Sequence, residues 1–81
     1  MNEFEKNSMH LMEAGYTFAM ANIMDGCIPG YPACLMPMWV KKEDKDNTDT
    51  VRVILGSEPK IGTNDEVELD KSKMHNLAYS L

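Results

Sequence analysis

The stretch Ala14-Gly15-Tyr16-Thr17-Phe18-Ala19-Met20-Ala21-Asn22-Ile23-Met24 can be read in two ways, and the fold depends on the choice. In the first, a helix that starts near Glu3 runs through Gly15 to Met24. Spaced at about 100° per residue, Glu3, Lys6, His10, Glu13 and Thr17 form a polar arc. Met9, Met12, Tyr16, Ala19, Met20 and Ile23 form an apolar arc, with Phe4, Leu11 and Phe18 as a strip beside it. Asn2 is placed to cap the start, and Asp25-Gly26 to end the helix. In the second reading Gly15 ends the helix at Ala14, and Tyr16, Phe18 and Met20 lie on one face of a strand. A mid-helix Gly costs only about 1 kcal/mol relative to Ala, and Ala-Met-Ala favours helix. The long helix is therefore the expectation. Its apolar surface is wider than the stripe of about 100° that a helix on one sheet requires. That surplus implies two packing surfaces, one for its own sheet and one for a partner.

Downstream, Gly26-Cys-Ile-Pro-Gly-Tyr-Pro-Ala33 is irregular, because Pro29 and Pro32 fix φ and remove two backbone donors. Leu35 to Lys41 alternates as a strand, with Met36, Met38 and Val40 on one face and Leu35, Pro37 and Trp39 on the other. Pro37 restricts it to an edge, or to a strand whose first half is unpaired. Lys42 to Asp49 is a polar loop, and Thr50 to Leu55 is the return strand of an antiparallel hairpin, with Val51, Val53 and Leu55 inward. Turns are expected at Gly56-Ser57-Glu58-Pro59 and at Gly62-Thr63-Asn64-Asp65. Glu66 to Asp70 alternates acid and apolar as a third strand. A rival helical face, Val67, Met74, Leu77, Ala78 and Leu81, overlaps it. The expectation is a strand followed by a short helix from about Lys71, capped by Asp70. The whole is one α+β domain, residues 1–81, with a long N-terminal helix packed on a small antiparallel sheet with a central hairpin, and a short C-terminal helix.

Composition limits function more than it defines it. A chain of 81 residues buries only about 60% of its unfolded surface, so a partner or a second copy is a common source of further burial. Hydrophobic residues at 43% and charged residues at 26% place it among globular proteins. No apolar run approaches the ~18 residues of a membrane span, and Met1-Asn-Glu-Phe-Glu-Lys6 lacks the features of a secretory leader, so a cytoplasmic protein is expected. Thirteen acids against eight bases, with Arg52 the single arginine, disfavour direct nucleic-acid contact.

No motif points to catalysis or a cofactor. Cys27 and Cys34 are separated by six intervening residues, wider than the two to four of zinc knuckles, and are expected as reduced, largely buried thiols. His10 and His75 read as solvated, on the first and last helices. Asp44, Asp46, Thr48 and Asp49 begin like a calcium loop, but the Gly at the sixth position is missing and Leu55 stands where the twelfth needs Glu. Eight methionines and the Tyr31, Met36, Met38 and Trp39 group are the remaining signal. Met and large aromatics are enriched where proteins dock. Trp39 is either part of an outward patch with Pro37 and Leu35 or core beneath the last helix. The expected function is a small non-catalytic module that binds a larger protein and inhibits or modulates it, as small acidic proteins of viruses and mobile elements often do. Its interface candidates are Phe4, Leu11, Phe18, Tyr31, Leu35, Pro37 and Trp39, and homodimerisation through the same surface is possible. The alternative is a small-ligand-binding domain with the 26–39 loop as lid and Tyr31, Trp39 and Arg52 as contacts.

Overall fold

A computed structural model describes residues 2–57 and 66–79. Helix α1 covers Glu3–Glu13. Five strands follow: β1 Tyr16–Ile23, β2 Cys34–Lys41, β3 Thr50–Leu55, β4 Val67–Asp70 and β5 Met74–Tyr79. They form one antiparallel sheet in the order β4-β3-β2-β1-β5. The expected turn at Gly62 to Asp65 lies outside the described residues.

The α+β expectation therefore needs correction at both ends: the N-terminal helix is half the expected length, and the C-terminal helix is a strand. α1 starts as expected, with Asn2 Oδ1 accepting from the Glu5 N–H at 2.8 Å. It stops at Gly15, which sits at φ +95°, a left-handed conformation open to glycine and strained for other residues. Two contacts from the end of β2 and the residue after it hold this end. Lys41 Nζ donates to the Ala14 carbonyl at 2.9 Å, and the Lys42 N–H donates to the Gly15 carbonyl at 2.9 Å. Beyond Gly15 the chain is β1, laddered to β2 on one side and β5 on the other. Helix propensities differ by a few tenths of a kcal/mol per residue, and two ladders outweigh that. The wide apolar surface assigned to one helix is in fact the two faces of a strand: Ala19, Ala21 and Ile23 on one, Tyr16, Phe18 and Met20 on the other.

At the other end Asp70 does cap, its carboxylate accepting from the Ser72 N–H at 2.9 Å. The helix it starts is a single 3-10 turn, Lys71–Lys73, and β5 follows at once. His75 is therefore on a strand, and it is exposed. The ladder between β1 and β5 shifts register between Met20 and Asn22, where Asn76 adopts φ 55°. That is a bulge, which bends the strand.

The short turn dictates the sheet's shape. β4 and β5 are opposite edges, and in a flat five-stranded sheet they would lie about 19 Å apart. Three residues in a 3-10 turn advance only about 6 Å. The sheet must curl until its edges approach, as a partly open barrel does. Its concave face holds the main core: Ala19, Ala21, Met38, Val40, Val51 and Val53 are completely buried, with Ile23, Leu69 and Met74 nearly so. Ile28, from the irregular 24–33 loop, joins this cluster.

The hairpin of β2 and β3 matches the expectation, with Val40 opposite Val53 and Trp39 opposite Ile54. Pro37 is not on an edge strand, because β2 lies inside the sheet. Its ring is tolerated for a geometric reason. In an antiparallel strand a residue's N–H and C=O point to the same neighbour. The Pro37 carbonyl accepts from the Gly56 N–H at 2.9 Å, so the missing donor also faces β3, at the point where that ladder ends. The pair it makes with Met20 of β1 requires no N–H from it.

Candidate functional site

The convex face of the sheet is built differently. α1 lies over one end of it, and Leu11 packs against Tyr16, Trp39 and Ile54, with Phe18 at the margin. Trp39 is 4% exposed, its Nε1 donates to the Ser57 carbonyl at 3.2 Å, and its ring meets Phe18 at 5.4 Å and 60°. Three of the seven interface candidates, Leu11, Phe18 and Trp39, thus form one cluster beneath or beside the helix. Trp39 is core, covered by the first helix and not by a last one.

Past the reach of α1 the same face is partly exposed. Register puts Met20 opposite Pro37 and Ala78, and Asn22 opposite Leu35 and His75. Directly paired residues share a face. Met20 and Pro37 are half-buried, Ala78 is exposed, and Leu35 is 59% exposed. Tyr31, 44% exposed in the irregular loop, and Phe4, 45% exposed at the start of α1, complete the seven. They do not join the Leu11 cluster.

A cavity of about 380 Å³ opens beside Trp39. Met12, Phe18, Trp39 and Tyr79 supply apolar walls, and Thr17, Lys42 and Lys45 supply polar groups. It lies where β5 stops: Tyr79 pairs with Ala19, so the first residues of β1 extend beyond the end of the described β5 ladder. Lys45 Nζ stands 4.7 Å from the centre of the Tyr79 ring. Of residues 26–39, only Trp39 lines this space. Sequence reading names Phe18 for an interface and misses Lys42, Lys45 and Tyr79. Lys42 and Lys45 belong to a loop that reads as a solvated hairpin tip, and Tyr79 to a presumed helix, so nothing periodic ties them to Trp39.

That hairpin loop is tightly fastened. Arg52 Nε donates to Asp44 Oδ2 at 2.7 Å, its N–H to the same oxygen at 3.0 Å, and its Nη2 contacts Glu43. Lys71 Nζ donates to the carbonyls of Asp44 at 2.8 Å, Lys45 at 3.0 Å and Asn47. The Arg52 hydrogen bonds hold the Asp44 carboxyl down at about 2, and the same pairing raises the guanidinium. Arg52 is thus committed to Asp44 and Glu43. On the convex face Tyr16 donates its hydroxyl to Glu66. Burial, and then that carboxylate, push the phenol up to about 12.

Among the described residues the reactive side chains do not converge. Cys27 and Cys34 are free thiols, Cys27 half-buried and Cys34 exposed. Burial raises the Cys27 thiol, the opposite of what activates a nucleophile. Among the described residues no three His, Cys, Asp or Glu side chains are grouped to hold a metal, and no helix is long and apolar enough to cross a membrane. Comparison with protein-family models, curated proteins and solved structures finds no match to this chain.

Proposed function

We propose that the protein is a non-catalytic module that docks on a larger protein and inhibits or modulates it. One observation carries this reading: the part of the convex face beyond α1, where Leu35 and Ala78 are exposed and the adjoining Pro37 and Met20 are half-buried. Apolar side chains brought together on an open sheet face favour a protein partner over water. The net charge of −5 adds long-range attraction to a basic partner. Self-association would use the same face.

Light scattering on the eluting protein, with pull-down from its source cells, tests the reading. The expected result is a stoichiometric partner or a dimer that Leu35→Asp weakens about tenfold or more at unchanged melting temperature. A monomer that captures nothing, before and after the substitution, removes it. A second reading, small-ligand binding, is supported by a separate observation, the cavity beside Trp39.

A further inference from the structure

The cavity beside Trp39 combines two kinds of wall. Phe18, Trp39 and Tyr79 present three aromatic rings, and Met12 adds an adaptable thioether. Lys42 and Lys45 also line it, Lys45 with its ammonium 4.7 Å from the centre of the Tyr79 ring, and none of the described lining residues is an acid. In a chain with thirteen acids and eight bases, a described lining with two lysines and no acid is locally opposite in sign to the molecule. Of the acids in the same loop as the two lysines, Glu43 and Asp44 are held by Arg52. Asp46 is the exception, near enough to Tyr79 to act on its hydroxyl.

From these walls we infer that the cavity binds an aromatic carboxylate of one or two rings, its rings among Phe18, Trp39 and Tyr79 and its carboxylate between Lys42 and Lys45. The volume of about 380 Å³ falls at the small end of ligand sites. An inorganic anion would leave the apolar walls unmatched, and a neutral aromatic would leave the lysines unused. Lysine ammonium groups act as compact point charges, so two of them can pair with one carboxylate without imposing a fork geometry. The inference rests on the small-ligand reading and adds charge and shape to it.

The single tryptophan makes a direct test possible, because its indole N–H gives one resonance in a nitrogen–proton NMR spectrum. Biphenylcarboxylate and the neutral biphenylmethanol are titrated into the intact protein, with calorimetry in parallel. The acid is expected to shift the indole resonance saturably at submillimolar concentration and to bind about tenfold tighter than the alcohol. Lys42→Gln with Lys45→Gln should remove most of that preference, and Asp46→Asn should strengthen acid binding about twofold. Lys42 and Lys45 are exposed, so these variants keep the fold, which circular dichroism verifies. Equal binding of acid and alcohol overturns the charge assignment while leaving a ligand site. No saturable shift with either overturns the inference and the small-ligand reading together.

Discussion

The two faces of this sheet are formed by the same strands and closed by different means. On β2, Met38 and Val40 point into the concave face and Trp39 between them points to the convex one, and all three are buried. The concave face is sealed largely by the sheet itself. Curling brings β4 and β5 around it, and small residues at Ala19 and Ala21 leave room for Met38, Val51 and Val53 to meet across the interior. The convex face cannot close on itself and depends on an added layer. An eleven-residue helix covers only its Tyr16, Trp39 and Ile54 end. A curled sheet thus protects most of one face, while on the other, beyond α1, Leu35 is left exposed and Pro37 and Met20 only half-buried.

The contrast is broken most severely from inside. Met38→Ala, at a completely buried site ringed by β-strands, should cost about 3–5 kcal/mol in urea unfolding. Leu11→Ala, which loosens the helix from the convex face, should cost about 2–3 kcal/mol, because the margin of that cluster can relax towards solvent. An equal or larger loss at Leu11 would invert the order of the two faces.

Gly15→Ala tests the joint between helix and strand by the sign of its effect. In a continuous helix the change would stabilise by about 1 kcal/mol. At φ +95° it should destabilise by about 1–2 kcal/mol, although the space around a Cβ there is adequate, with Lys41 Nζ at 3.6 Å.

The ionisable groups outside the concave core set the pH dependence. Tyr16 has its phenol raised from 10.0 to about 12, so its contribution is complete below pH 10 and fades as pH rises from there towards 12. Asp44 is lowered from 3.8 to about 2, so its contribution is present above pH 4 and is lost as pH falls towards 2. Tyr16→Phe should flatten the alkaline limb of a stability profile, and Asp44→Asn the acid limb. The acid effect is the smaller, because Asp44 and Arg52 meet near solvent. Smallest of all is Leu35→Asp, within about 0.5 kcal/mol of the parent, since its site is already in water. A large loss there would mean that the convex patch is covered.

Sequence alone determined the elements whose signals are local. Asn2 caps, Asp70 caps, and the alternation at 35–41, 50–55 and 66–70 marks strands, because each rests on contacts within a few residues or on a simple period. Tertiary structure decided Tyr16 to Ile23 and Met74 to Tyr79. Both segments carry apolar residues at spacings that suit a helix as well as a strand, and local preference between the two is small. β1 is a strand because β2 and β5 pair with it on either side, and β5 is a strand because a three-residue turn delivers it to the open edge of β1. The same long-range pairing produced the cavity: Tyr79 reaches Trp39, Lys42 and Lys45 only through the pairing of β5 with β1, so no spacing along the chain records their meeting.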